Sequence, residues 1–142
     1  MPADMSRYPD DWPDIRQQIL RRAGGNEDDP RVGAHCEKCG LQNYAYGYRL
    51  DDGMLVQYGI GENYQDARDA ANELQRWKVE KIIVIVLTIA HVNDPDPANC
   101  DPDNLAAWCQ ACHNRYDMKM RQRNAAKSRR RQKIKAGQLE LL

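Results

Sequence analysis

Two cysteine pairs with the same spacing carry the clearest chemical signal in the sequence. In each pair two residues separate the cysteines, as in Cys36-Glu-Lys-Cys39 and Cys109-Gln-Ala-Cys112. This gap lets both sulfurs of a pair face one ion, and two such pairs supply the four thiolates of a tetrahedral zinc site. We therefore predict a structural Zn²⁺ on these four cysteines. The long separation between the pairs predicts a folded insertion that brings them together.

The competing interpretations of these cysteines are a redox Cys-x-x-Cys motif and disulfides. Neither pair stands in the Trp-Cys-Gly-Pro setting of an oxidoreductase, and the N-terminal stretch is polar, so we expect no secretory signal. The longest apolar run, from Ile82 to Ala90, is far shorter than a membrane span. We therefore expect a reducing, cytoplasmic setting and no membrane partner. Cys100, the fifth cysteine, is expected to be a free thiol.

A second possible metal site follows the second cysteine pair. His113 and Asp117 are four residues apart where a helix is expected to begin, so their side chains project from the same face. An imidazole and a carboxylate together can hold a hard or borderline divalent cation near a phosphate. Such a pair alone is more often a surface cap. A zinc ion beside it would hold this helix start in place.

A histidine and an asparagine lie between the cysteine pairs, close to the second pair. The apolar, β-branched run from Lys81 to His91 predicts a buried strand that ends at this histidine. Because the unperturbed pKa of histidine is about 6.5, His91 could deprotonate water near neutral pH. A packed or exposed histidine without chemistry is the ordinary alternative. Asn104 lies in a turn-rich segment, where its amide could tie the loop back to the strand end.

Together, these residues resemble the HNH endonucleases, whose ββα-metal (His-Me finger) core is a β-hairpin followed by a helix that binds a catalytic metal. The signature positions are His91, Asn104 and His113. There is a particular likeness to small zinc-stabilised HNH proteins often encoded by phages, for which the setting is the host cytoplasm. Four blocks in order carry the resemblance: CEKCG at 36–40, LTIAH at 87–91, DNL at 103–105 and CQACHNRYD at 109–117. Weaker similarity extends to the N-terminal Trp-Pro-x-Ile-Arg segment.

The resemblance implies a metal-dependent endonuclease that hydrolyses DNA phosphodiesters. His91 would be the general base and Asn104 would orient it. His113, with Asp117, would hold Mg²⁺, Mn²⁺ or another divalent cation beside the scissile phosphate. The products would carry 3′-hydroxyl and 5′-phosphate ends. The implied fold is α+β, with a ββα-metal core, similar to HNH and treble-clef proteins, held together by the four-cysteine zinc site.

One position departs from the family pattern. Many members carry Asp or His immediately before the first signature histidine as a second metal ligand, and here that residue is Ala90. Asp94 or Asp96 could replace the missing ligand, or His91 could bind metal instead of acting as the base. The alternative function is a zinc-stabilised nucleic-acid-binding protein that lacks catalysis.

The formal net charge of zero conceals a strong division along the chain. Residues 1–114 carry a balance of −8, whereas residues 115–142 carry a balance of +8. This separation predicts a polyanionic partner for the C-terminal part, most simply double-stranded DNA, although a solvated tail is the alternative. The expected contacts are eight basic side chains: Arg115, Lys119, Arg121, Arg123, Lys127, Arg129, Arg130 and Arg131.

The remaining pattern predicts the elements around the site. An N-terminal helix over residues 11–23 ends at Gly24-Gly25, and strands over 44–50 and 54–60 form a hairpin around Asp51-Asp52-Gly53. A helix over 63–77 has Asn63 as its cap. Its apolar stripe is expected to pack on the strand at 82–89 and consists of Ala67, Ala70, Ala71, Leu74 and Trp77.

The last helix is expected to begin near His113 and to continue through Arg123, with disorder past Ala126. We predict one domain over residues 1–126, with its core at 36–123, followed by a basic tail over 127–142. The chain has no Phe and is 42% hydrophobic, so its core must be lean. A zinc ion that joins distant parts of the chain suits such a core.

Overall fold

The fold of residues 7–135, which a computed structural model describes, is α+β, as predicted. It contains three α-helices and two small antiparallel sheets. In chain order the elements are α1 (Trp12–Arg22), β1 (Ala45–Arg49), β2 (Leu55–Ile60), α2 (Tyr64–Gln75), β3 (Ile83–Val84), β4 (Leu87–His91), a short 3-10 helix (Pro102–Asn104), β5 (Leu105–Cys109) and α3 (Gln110–Lys135).

The chain forms two compact units, one that ends at Gln110 and one that begins at Ala111. The first unit contains both sheets, and the second contains α3 from its second residue onward. The predicted domain boundary after residue 126 stays a prediction. Among the described residues, no helix has the length and apolar character that crossing a membrane requires.

Helix α1 forms where it was predicted. Pro13 lies in its first turn, where the missing N–H is not needed, and Ile19 and Leu20 are buried on one face. The helix ends at Arg22, with Ala23 as its cap, and the predicted stop follows at Gly24, whose φ of +102° suits a residue without a Cβ.

The predicted hairpin is also present as β1 and β2, which pair antiparallel. Gly53 in the turn has a φ of +88°, the left-handed region that favours glycine. Helix α2 follows, and the side chain of Asn63 accepts a hydrogen bond from the Asp66 N–H at 2.8 Å, as expected of a cap. Ala67 and Ala71 are buried, and α2 packs on β1 and β3.

Trp77 does not belong to the apolar stripe of α2. The helix ends at Gln75, two residues earlier, and the Trp77 side chain is 76% exposed. The prediction was wrong because Trp77 stands three residues after Leu74, which fits helical spacing, but the helix has already ended at Gln75.

The single strand predicted over the apolar run at 82–89 is wrong. The run is divided into β3, which pairs with β1, and β4, which pairs with β5 in the other sheet. Buried Asn43 lies at the division, where its Oδ1 accepts a hydrogen bond from the Leu87 N–H at 3.0 Å. This bond satisfies a backbone donor at the point where the chain leaves one sheet for the other.

Strands β4 and β5 form an antiparallel ladder in which Leu87 pairs with Cys109 and His91 pairs with Leu105. The hydrophobic pattern therefore places His91 at the end of a strand, as predicted. Helix α3 begins directly after β5 and continues to Lys135. It is longer than predicted, and residues 127–135, where we expected disorder, are helical. Residues 136–142 of the predicted tail lie outside the described part.

Candidate functional site

The four cysteines of the two pairs form one cluster. Their sulfur atoms all lie within 4.8 Å of one another, and the Cys39 and Cys109 sulfurs are 3.6 Å apart. Tetrahedral zinc with Zn–S bonds of about 2.3 Å requires sulfurs about 3.8 Å apart, so the donor set fits a Zn²⁺ ion. Among the described residues this is the one group of three or more His, Cys, Asp or Glu side chains that meets such a distance limit.

The backbone around the cluster favours thiolates. The N–H groups of Cys39 and Cys109 donate to the Cys36 sulfur at 3.4 and 3.2 Å. Burial alone would raise the pKa of Cys36, but these backbone hydrogen bonds, with a further one from Lys38, lower it to about 7. A thiol that ionises near neutral pH is a ready zinc ligand.

A side-chain link joins the first cysteine pair to β5 and the turn before it. Glu37 lies between the first two cysteines, and its carboxylate accepts hydrogen bonds from the Ala107 N–H at 2.8 Å and from the Arg22 guanidinium at 2.7 and 3.0 Å. Arg22 also donates to the carbonyls of Pro102 and Leu105 at 2.9 and 2.7 Å. Two charged side chains thus connect the cluster to the residues that flank Asn104.

His91 is held by one ring nitrogen and leaves the other without a partner. The ring hydrogen-bonds to the backbone of Pro97, which as a proline offers only its carbonyl. Its Nε2 is buried and has no hydrogen-bond partner among the described residues, so the bond to Pro97 comes from Nδ1–H. In a neutral imidazole, Nε2 then carries the lone pair.

Burial keeps this imidazole neutral. It lowers the pKa of His91 below its usual value, against the Pro97 carbonyl and the negative charges of Asp94 and Asp96, which act in the opposite direction. At neutral pH His91 is therefore able to accept a proton on Nε2. This is the protonation state that a general base requires.

Asn104 fixes the loop that carries Pro97. Its side chain is buried, and its Oδ1 accepts from the N–H groups of Asn93 and Asp94 at 2.9 and 2.7 Å. Its Nδ2 donates to the carbonyls of Asp94 and Asn99 at 2.9 and 3.0 Å. The amide thus ties the loop to the strand end, as its position in the sequence suggested, and all four of its bonds involve backbone atoms on either side of Pro97.

Two aromatic side chains around His91 were not singled out from the sequence. The Trp12 ring stacks on the imidazole at 5.8 Å and 21°, and the Tyr8 ring lies 6.0 Å from it. The rings of Tyr8 and Trp12 are themselves 4.7 Å apart. The weak resemblance of the Trp-Pro-x-Ile-Arg segment was the one available signal, and it said nothing of contact with a histidine nearly eighty residues away.

The predicted catalytic-metal pair lies in the first turns of α3. His113 Nε2 and Asp117 Oδ2 are 3.7 Å apart, and both side chains are partly exposed. The two predicted ligands therefore do project from one face of the helix. Ala90, where the family pattern has a further ligand, is 2% exposed and pairs with Ala106 in the hairpin. A methyl group at this buried position contributes to packing and offers no donor atom.

All eight basic side chains predicted to contact nucleic acid are exposed on α3. Five of them recur every fourth residue, and they are Arg115, Lys119, Arg123, Lys127 and Arg131. Each step advances about 6 Å along a helix, so these cations form one ridge on its surface. Cys112 is the one buried residue of α3, so most of this helix is polar on every side.

No protein-family model, curated protein or solved structure matches this chain. The resemblance to HNH endonucleases therefore rests on the sequence blocks alone. The structure itself establishes an α+β fold and a four-cysteine cluster suited to a metal ion.

Proposed function

We propose that this protein is a metal-dependent endonuclease of the HNH type that hydrolyses DNA phosphodiester bonds. One observation carries the proposal: the His91 imidazole is fixed through Nδ1 and has an Nε2 without a partner among the described residues. A histidine held only for packing needs no such asymmetry. A general base needs both a fixed ring and a free lone pair.

In this proposal His91 takes the proton from the attacking water on Nε2. The Pro97 carbonyl stabilises the imidazolium that forms, because it already accepts the Nδ1–H. Asn104 is a positioning residue, since its four hydrogen bonds hold the loop on both sides of Pro97. The finer fold assignment, a ββα-metal core made of β4, β5 and α3, belongs to the same proposal and is supported by the order strand, strand, helix.

His113 and Asp117 are the proposed ligands of the catalytic cation. Their separation of 3.7 Å suits two donors to one ion, and Mg²⁺ commonly takes only one or two protein ligands and completes its shell with water and phosphate. A divalent cation held there would offset the charge that develops on the leaving oxygen. The imidazole and carboxylate set its position along α3.

The cationic ridge of α3 is proposed to follow the phosphate backbone of DNA. Like charges four residues apart repel each other within a helix, so the ridge costs stability that phosphate contacts would recover. Such contacts position the protein and carry little sequence information. Binding through them should weaken steeply as salt is added.

A second function is favoured by Ala90. Its buried methyl group stands where many HNH proteins have a metal ligand, so the same scaffold could bind nucleic acid without cutting it. In that case the four-cysteine site and α3 serve binding alone.

One experiment separates the two functions. Zinc-loaded protein is incubated with supercoiled plasmid and Mg²⁺, Mn²⁺, Ni²⁺ or Co²⁺, and both nicking and gel retardation are measured. The nuclease proposal predicts nicked product with 5′-phosphate ends, and it predicts that His113→Ala loses the metal-stimulated cutting while still retarding DNA. Retardation without cutting in every metal would establish the binding function instead.

A further inference from the structure

The lone pair proposed to accept the proton is covered in this structure. His91 Nε2 is buried, although the proposed reaction requires water at this atom. The rings of Tyr8 and Trp12 both lie against the imidazole. The segment from Arg7 to Trp12, hereafter the N-terminal arm, therefore occupies the space around the candidate base.

The two ends of the arm differ in how firmly they are held. Trp12 is 8% exposed and is the first residue of α1, so it is part of the core. Tyr8 is half-buried, and the neighbouring Arg7 forms an ion pair with Asp96 at 3.3 Å in which both side chains are about half exposed. Exposed ion pairs of this kind stabilise little, so the outer end of the arm is weakly attached.

Besides the ring contact between Tyr8 and Trp12, the outer end of the arm has two attachments, one to His91 and one to the loop that follows it. Asp96 is next to Pro97, whose carbonyl holds the His91 ring, and the Tyr8 ring lies against that ring. Movement of Arg7 and Tyr8 would break the ring contact between Tyr8 and Trp12, but it would leave the place of Trp12 in α1 and the hydrogen bonds of Asn104 intact. The contact of the Trp12 ring with His91 is therefore fixed, whereas the contact of the Tyr8 ring with His91 can be removed.

We propose that the N-terminal arm is an autoinhibitory cover: Trp12 keeps the His91 ring in place, while Tyr8, tethered by Arg7 to Asp96, closes over the imidazole and must lift before water reaches Nε2. This inference rests on the proposed function, because it concerns access to the proposed base. It makes Tyr8 the residue that controls access and Trp12 a positioning residue.

Chemical modification of histidine tests the cover without any need for nuclease activity. Diethyl pyrocarbonate acylates neutral imidazole, and the rate at each histidine is followed by peptide mass spectrometry at pH 7.5. Burial lowers the pKa of His91, so slow modification reports blocked access rather than protonation. In the wild type we expect His91 to react more slowly than exposed His35, which serves as the internal reference.

The variant Tyr8→Ala should raise the modification rate of His91 about tenfold relative to His35, because it removes aromatic contacts of ordinary strength that hold the closed arm. Arg7→Ala should raise it by a smaller factor, since only an exposed ion pair is lost. The matched control is Tyr64→Ala, which removes a tyrosine that is 46% exposed at the start of α2. Zinc content and melting temperature verify that each variant is folded.

The proposal is overturned if His91 in the wild type reacts as fast as His35, or if Tyr8→Ala leaves the His91 rate unchanged. In the cleavage assay Tyr8→Ala should nick plasmid faster than the wild type, and slower nicking with faster modification would also overturn the inhibitory role. If no protein cuts DNA, the nuclease proposal fails while the modification rates still decide whether the arm covers His91.

Discussion

The cysteine cluster and the His91 site lie at opposite ends of the β4–β5 hairpin and differ in how fully their donor atoms are used. In the cluster, four sulfurs are close enough to satisfy one ion completely, and backbone N–H groups support them. At His91, one nitrogen is satisfied by Pro97, whereas Nε2 has no partner in the described part of the chain. The cluster can use all four of its donor atoms on one ion, whereas the His91 ring keeps one lone pair unused.

This difference suits the cluster to a structural role and His91 to a chemical one. A metal with four protein ligands has no position for a substrate, so an ion held by the four cysteines would stabilise the fold. A buried nitrogen without a hydrogen bond costs free energy, and folding tolerates that cost where a function uses the atom. The Arg22–Glu37 link couples the two regions, because Glu37 belongs to the first cysteine pair and Arg22 reaches the carbonyls on both sides of Asn104.

The largest expected effect is loss of the cluster. Cys109→Ser should abolish zinc binding and the cooperative unfolding transition, because structural zinc contributes on the order of 10 kcal/mol in small domains. Metal analysis and circular dichroism during heating measure both. Cys100→Ser is the matched control, since Cys100 lies outside the cluster, and it should retain zinc and melting temperature. A zinc-free Cys109→Ser protein that melts like the wild type would show that the cluster is not the structural site.

Removal of the Asn104 amide should have the next largest effect. Asn104→Ala leaves the N–H groups of Asn93 and Asp94 without their acceptor, and we expect the free energy of unfolding to fall by about 2–4 kcal/mol. Urea denaturation of zinc-loaded protein measures it. Asn104→Asp keeps an acceptor and should lose less, and exposed Asn72→Ala should change little. Equal stability of Asn104→Ala and Asn72→Ala would refute the role assigned to the amide.

The Arg22–Glu37 link between the two regions should contribute less to the free energy of unfolding. Arg22→Ala removes hydrogen bonds to two carbonyls and one carboxylate, but the Arg22 side chain is 40% exposed, so we expect a loss of about 1 kcal/mol. Arg76→Ala breaks an ion pair with Glu73 that is far more exposed, and it should cost almost nothing. If the two variants unfold at the same urea concentration, the link does not couple the regions.

The smallest effect concerns pH. The folded pKa of His91 is lowered, so between that pKa and the unfolded value near 6.5 the unfolded chain binds more protons. Stability from the neutral ring is therefore complete above about pH 7 and is lost as pH falls below 6.5. Melting temperatures at pH 7.5 and 5.5 should differ more for the wild type than for His91→Gln. Acid release of zinc lowers the melting temperature of the wild type and of His91→Gln alike, so it cancels when the two pH differences are compared. Identical pH dependence would mean that His91 is not buried in its neutral form.

Spacing was enough to predict the parts of the molecule that depend on local rules. The two Cys-x-x-Cys pairs, the Asn63 cap and the Gly53 turn each require particular residues at fixed distances along the chain. The end of β4 at His91 and the tie made by Asn104 followed from a β-branched run and a turn-rich segment.

The features that were predicted wrongly or missed depend on tertiary contacts. One apolar run is shared between two sheets because Asn43, distant in sequence, satisfies the backbone at the break. Tyr8 and Trp12 lie against His91, which is distant from them in the sequence. Periodicity describes only local structure, so it could not predict this contact. The length of α3 was underestimated because a run of like charges argues against a helix.

Plasmid nicking by His91→Ala tests the proposed chemistry most directly. His35→Ala, the substitution of an exposed histidine, serves as the control, and zinc content verifies that both variants are loaded. With Mg²⁺ or Mn²⁺ present, His91→Ala should nick at least about a hundredfold more slowly than the wild type, because a general base contributes that much, while it binds DNA equally well. His35→Ala should nick normally. Equal rates for His91→Ala and the wild type would contradict the role of His91 as the base.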